Sequence, residues 1–267
     1  MTFPRLAAAA LLVAAALAPL PAAAADGADN CTAFIDAVPA TVTTPGKYCL
    51  RANLDLVSSV YGAILVQSDD VTIDCNGFGL RNATPYANAN SGVRADGPSR
   101  LTVRNCRLLG FLAGVLTTYG DGHLVEDNLV RDSNNYGIAV TGARSVVRRN
   151  RVLDTTSTYM PGIRGIEAGG EIVDNVVIGV RTTAGEDYSI GIYGYLPGAY
   201  IRGNIVRDVG NLGIGVAVQG TIVDNHVVGS GYGSGLAGNG FESCARNTVY
   251  GFATAVDCDQ ATANLEL

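Results

Sequence analysis

Tryptophan is absent from the 267-residue sequence, lysine occurs once, as Lys47, and histidine twice, as His123 and His226. A single lysine removes most mechanisms that need a lysine base or Schiff base. Acidic residues outnumber basic ones by 24 to 18, the formal charge is −6 and no basic cluster occurs, which argues against nucleic acid as a partner. No C-x-x-C pair is present and neither histidine lies near a cysteine, so metal binding is the weaker reading of the six cysteines. Disorder of the charged, core-less kind is excluded, because 48% of the chain is hydrophobic.

Only the N-terminus carries a long apolar run. Arg5 precedes an almost wholly apolar stretch from Leu6 to Leu20, Pro21 breaks it, and Ala23 to Ala25 supply small residues before Asp26. This pattern predicts a signal peptide over residues 1–25. The alternative is an uncleaved anchor, for which the stretch is short against the ~20 residues of a membrane span. Cleavage removes Arg5 and takes the formal charge from −6 to −7. The expected product is secreted or periplasmic, without membrane attachment, and an oxidising compartment favours disulfides.

A repeat runs through the rest. Its frame is an apolar residue, two variable residues, Asn, one variable residue, and an apolar residue. It appears as Val125…Asn128…Val130, Val147…Asn150…Val152, Ile172…Asn175…Val177, Ile201…Asn204…Val206, Ile222…Asn225…Val227 and Cys244…Asn247…Val249. Val103…Cys106…Leu108 and Ile73…Asn76…Phe78 extend it upstream, with successive copies 21 to 30 residues apart. A second frame, a small residue followed by an aliphatic one, lies between: Gly92-Val93, Gly114-Val115, Gly137-Ile138, Gly165-Ile166, Gly191-Ile192, Gly213-Ile214, Gly235-Leu236 and Ala255-Val256.

Apolar residues two apart are the spacing of strands with one buried face, and Val, Ile and Gly dominate where a helix would favour Leu, Ala, Glu and Lys. A coil of this length cannot bury its own apolar face, so neighbours must stack. Asn suits a sharp bend in the left-handed conformation, and its amide can bond to equivalent amides above and below. Cys106 replaces that hydrogen bonding with small-residue packing. Residues 31–37 are the one segment that fits a short cap helix.

The coil length, the Asn ladder and the Gly-Ile strand resemble the pectate-lyase-like superfamily. The resemblance covers residues 62–258 and implies an all-β chain, a right-handed parallel β-helix of about nine coils. The expected organisation is a leader (1–25), an N-terminal cap and irregular first coil (26–61), and the helix with a C-terminal cap (62–267). The resemblance further implies that the variable connection between the asparagine and the next Gly-Ile strand borders a substrate groove. Three disulfides are expected, Cys31–Cys49, Cys75–Cys106 across adjacent coils, and Cys244–Cys258; buried free thiols are the alternative at Cys75 and Cys106.

Two residues before the ladder stand Asp74, Arg104, Glu126 and Arg148, with alternating sign. Stacked ~4.8 Å apart, they read as a solvated structural ladder. The residue after each aliphatic of the second frame faces out, giving Arg94, Leu116, Ala139, Glu167, Tyr193 and Gly215; two residues on stand Asp96, Thr118, Thr141, Gly169 and Tyr195. The longest insertions carry Tyr86, Tyr159 and Tyr188, with Tyr119 and Tyr136 nearby. Tyrosine offers sugars an apolar ring and a hydroxyl; the alternative is that it simply covers the flank. Substrate contacts are therefore expected from Tyr86, Tyr159, Tyr188, Tyr195 and Arg94.

Glu167 is the best catalytic candidate, with Arg164 in its coil and Tyr193 one coil on. A carboxylate, an arginine and a tyrosine can abstract and return a proton beside a uronate carboxylate. The alternative is that Glu167 is a solvated strand residue. The superfamily's Arg-x-Pro-x-x-Arg, Asn-Thr-Asp and Gly-His-Gly signatures are missing, and neither histidine is expected to face the groove. No cofactor motif is present; Glu186 and Asp187 offer an adjacent carboxylate pair for Ca²⁺, which alone makes no site. The expected partner is an extracellular or cell-envelope polysaccharide, bound and in one variant modified by lyase or epimerase chemistry. The remaining alternative is a non-catalytic structural or adhesion scaffold.

Overall fold

The computed structural model describes residues 30–58, 60–84, 90–158, 162–182, 188–240 and 242–266. Tyr86, Tyr159, Glu186, Asp187 and the leader lie outside the described residues. The described chain has no α-helix; it winds as a parallel β-helix of about nine coils.

Each coil contributes a glycine strand carrying the Gly-Ile frame, a ladder strand leading to the asparagine, and a return strand after it. Glycine and ladder strands form one 19-stranded sheet, and the return strands form a second of ten, from Leu54–Leu56 to Leu265–Glu266. In two coils the first two merge into a single strand, Tyr136–Arg148 and Arg164–Val173. All pairings are parallel. Alternation sends one aliphatic column inward from each strand type: Ile138, Ile166 and Ile192 stack from glycine strands, Val125, Val147 and Ile172 from ladder strands, and Val130, Val152 and Val177 from return strands. All nine are fully buried; at ~25 cal/mol per Å² of apolar surface, such burial is the main stabilising contribution.

The glycine of the second frame has a steric origin. A Cβ on Gly137 would stand 2.5 Å from the carbonyl oxygen of Gly165 one coil on, and Gly165 and Gly191 repeat the relationship at 2.7 and 2.6 Å. Only a missing side chain allows the rungs to approach so closely.

The asparagines form a continuous interior column. Asn150 Nδ2 donates to Asn175 Oδ1 (3.1 Å), and Asn175, Asn204 and Asn225 each donate to the next amide oxygen at 2.9 to 3.0 Å. The same oxygens accept the backbone N–H of the preceding ladder residue. Two details correct the sequence reading. The left-handed residue is the one before the ladder residue, as at Asp127, Arg149, Asp174, Gly203 and Asp224; the ladder asparagine keeps an ordinary backbone and spends its amide inward. Asn76 does take the left-handed bend itself and is outside the column, because two extra residues separate Asp74 from the next return strand compared with Arg104. The column instead runs one step further than expected, to Asn264, whose Oδ1 accepts from Asn247 Nδ2 at 3.0 Å.

The three disulfides are Cys31–Cys49, Cys75–Cys106 and Cys244–Cys258, with Cα separations of 5.9, 4.7 and 6.2 Å. No free cysteine remains among the described residues. Residues 31–37 are not helical: Ala33–Ile35 is a strand paired with Tyr48–Leu50. A helix this short would be marginal, whereas the strand buries Ile35 against the first coil. Expected sign alternation at the ladder turn is present, with Arg104 Nε 2.9 Å from Asp74 and Arg148 NH2 2.8 Å from Glu126. The carboxylates are buried rather than solvated. Lys47 adds a second cation 3.2 Å from Asp74.

Candidate functional site

Register fixes the outward column of the glycine strands. Arg94, Leu116, Ala139, Glu167, Tyr193 and Gly215 are vertical neighbours on consecutive coils. Three residues earlier on the strand, Tyr136 stands directly below Arg164. Arg164, Glu167, Tyr136 and Tyr193 therefore surround one point on this face.

Arg164 is its centre. Its Nε lies 3.0 Å from Glu167 Oε2, its NH1 donates to the Tyr136 hydroxyl at 3.2 Å, and its guanidinium carbon sits 5.0 Å from the centre of the Tyr193 ring and 5.8 Å from that of Tyr136. The Nε–H makes no aligned hydrogen bond, so the contact with Glu167 is a close ion contact. Cation–π attraction holds the guanidinium plane between the two rings. Glu167 is only 7% exposed. Burial pushes its carboxyl above the ordinary range, with the charge of Arg164 opposing the shift. Burial also raises the Tyr136 hydroxyl, and the nearby Glu167 charge adds to it.

The expected trio of Glu167, Arg164 and Tyr193 thus converges. Tyr136 joins it, and the sequence pattern had placed it only nearby. The missing signal was the register across a 28-residue coil, whose turn of variable length hides that Tyr136 and Arg164 are stacked.

Arg94 occupies a separate place. Its Nε is 2.6 Å from Asp96 and its guanidinium lies 5.4 Å from the Tyr61 ring. Thr118 also donates to Asp96; although burial opposes it, these hydrogen bonds hold that carboxyl below its usual range. Tyr188 and Tyr195 are exposed. The second outward column does not continue as the alternation implied. A bulge shifts the register after Val140, so that Gly169 pairs with Ala143 and not with Thr141. The bulge opens a hollow of about 500 Å³ beside the column, walled by Tyr119, Tyr195 and Leu196 with Asp121 at its edge. Tyr119 is 81% exposed.

His123 is buried just before the ladder strand Leu124–Glu126; its Nδ1 accepts from the Leu101 N–H at 3.3 Å, its Nε2 lies 3.4 Å from the Tyr119 carbonyl oxygen, and burial lowers its pKa. His226 packs edge-on against Tyr250, ring centres 5.6 Å apart. Among the described residues, no group of three or more His, Cys, Asp or Glu side chains is placed to hold a metal ion. No described helix is long and apolar enough to cross a membrane.

Three solved structures are similar to the chain to differing degrees. Tailspike protein 2 of the Escherichia coli O157:H7 bacteriophage CAB120 is similar with a TM-score of 0.57 at 14% identity, over 87% of this chain and 37% of its own. This chain therefore spans little more than a third of that tailspike. The Dettilon tailspike protein gives a TM-score of 0.48 at 14% identity, over 88% of this chain and 60% of its own. The A-module of a mannuronan C-5 epimerase from Azotobacter vinelandii gives 0.47 at 15% identity, over 88% and 77%. No curated protein matches the chain. The family described as the right handed beta helix region matches residues 62–252, and together with the stacked parallel coils this places the chain in the right-handed β-helix family.

Proposed function

We propose that the protein is exported and binds a polysaccharide across the outward face of its glycine strands. The observation that carries this reading is the convergence of Arg164, Glu167, Tyr136 and Tyr193, flanked by the exposed Tyr195 and the hollow beside it. Half-exposed tyrosine rings offer flat apolar surface to the C–H face of a sugar, and the carboxylate and guanidinium offer hydrogen bonds to its hydroxyls. A rigid stack of rungs holds these groups without further ordering cost. The apolar leader and the three disulfides fit an oxidising compartment.

Binding to an array of neutral and acidic glycans tests the proposal. Wild type is expected to retain a defined subset, and Tyr193→Ala and Tyr195→Ala to lose it. Unchanged binding by both variants would sink the groove and leave the scaffold reading.

One observation favours a second, catalytic reading. Glu167 has a raised pKa beside a fixed cation, the arrangement of a base that abstracts the proton next to a uronate carboxylate while the arginine balances the developing charge. Elimination would give an unsaturated product absorbing in the ultraviolet; epimerisation would return the proton from the opposite side and appear only by NMR of the polymer. Polyuronates showing neither change with wild-type protein would exclude this chemistry.

A further inference from the structure

The outer face of the return-strand sheet carries a charge pattern that the glycine-strand site does not use. Its two outward columns run Arg107, Leu129, Arg151 and, two residues along each strand, Leu109, Arg131, Leu153. Arg81 stands below Leu109. Arginine therefore changes column at every rung from Arg81 to Arg151, with Gly79 beside Arg81 and a leucine beside each of the other three. A rung of Val176 and Ile178 follows, and then Ile205 with Arg207.

The chain is acidic overall, yet this strip is cationic. Arg81 is neutralised by Asp55, and Arg131 by Asp132 and Asp154 at the strip's edge. Among the described residues, Arg107, Arg151, Arg202 and Arg207 are the arginines without an ion pair, whereas Arg51, Arg100, Arg144, Arg149 and Arg246 are all paired on other surfaces. Three of the four unpaired cations thus share one face. Arg107, Arg151 and Arg207 are exposed, with half-buried aliphatics between them.

We propose that this strip is a second binding surface, for one extended chain of a linear acidic polysaccharide lying along the axis of the β-helix. Shape and charge both favour that occupant. Rungs repeat every ~4.8 Å and two outward columns stand ~7 Å apart, so the strip from Arg81 to Arg207 is ~24 Å long and one polymer chain wide. That is well short of the ~800 Å² per partner that a stable protein interface needs. A second copy seated face to face would set arginine against arginine. A polymer with a carboxylate on each sugar can meet the unpaired cations Arg107, Arg151 and Arg207 at every second rung, ~10 Å apart, while Leu129 and Leu153 support its apolar ring faces. The surface lies on a different sheet from Glu167 and stands without the glycine-strand site.

The test is equilibrium binding of the full chain to polygalacturonate, with its methyl ester as the uncharged control and vesicles containing phosphatidylglycerol as a competing anionic surface. Wild type is expected to bind polygalacturonate but not the ester, more weakly at 0.5 M than at 0.05 M salt. Arg107→Gln/Arg151→Gln/Arg207→Gln is expected to bind about tenfold or more weakly, as the loss of charge-assisted contacts requires. Arg51→Gln/Arg100→Gln/Arg246→Gln makes the same change in net charge elsewhere and is expected to bind as wild type. Equal loss in both triple variants, equal binding of the ester, binding to the vesicles alone, or no binding at low salt would each overturn the proposal. Tyr195→Ala separates the two surfaces, because it removes glycine-strand binding and leaves the arginine strip intact.

Discussion

Arg164 lies 3.0 Å from Glu167, three residues further along the same glycine strand, and its guanidinium is sandwiched between Tyr136 of the preceding coil and Tyr193 of the next. One cation therefore joins three consecutive rungs, and the carboxylate it faces is buried. The consequences can be measured.

Glu167→Gln should change the pH dependence of stability. The carboxyl is raised in the folded state, so the native protein holds its proton more tightly than the unfolded chain does. Stability is then greatest below the unfolded value, about 4.3, and falls as pH rises through the raised folded value. Glutamine removes that penalty. The difference in Tm between Glu167→Gln and wild type should move in favour of the variant as pH rises across this window; parallel curves would contradict the raised value.

Asp74 shows the opposite sign. Burial disfavours its charge, but hydrogen bonds from Asn105, from the Asn76 N–H and from Lys47, together with the charge of Arg104, more than offset this and hold its pKa below normal. Its stabilisation is present above the unfolded value of about 3.9 and is lost as pH falls through the lower folded value. Asp74→Asn should cost about 3 kcal/mol near pH 7 and flatten the acid limb, as read by urea unfolding between pH 2 and 7.

The amide column predicts a position-dependent cost. Asn150→Ala removes donors to Val125 O, Arg148 O and Asn175 Oδ1 and strips the acceptor from the N–H of Asn128. A loss of about 2 to 4 kcal/mol is expected from buried groups left unpaired. Asn264→Ala, in the last described rung, should cost about 1 kcal/mol or less because water can reach its neighbours. Chemical denaturation of both variants decides; equal losses would refute a buried column as the source.

Gly165→Ala should be costly and Gly162→Ala nearly neutral. A Cβ on Gly165 would press on the Gly191 carbonyl and on Val177, whereas a Cβ on Gly162 meets no atom within 4 Å. About 1 to 3 kcal/mol is expected for the former from overpacking. Because Gly165 lies between Arg164 and Glu167, glycan binding should weaken with it; a stability loss with binding intact would detach the site from the strand's position.

Sequence periodicity alone was enough to identify the coils, the inward columns around Val147 and Ile166, and the amide ladder. Those features repeat in every rung, and each follows from strand alternation within a few residues. Three matters needed the folded chain: that Asp127 and Arg149, not the asparagines after them, take the left-handed bend; that Ala33–Ile35 pairs as a strand; and that Tyr136 stacks beneath Arg164. In each case the outcome depends on the register between neighbouring coils. Register is set by connections whose lengths vary from coil to coil, so side chains about 30 residues apart become neighbours only when the rungs are stacked.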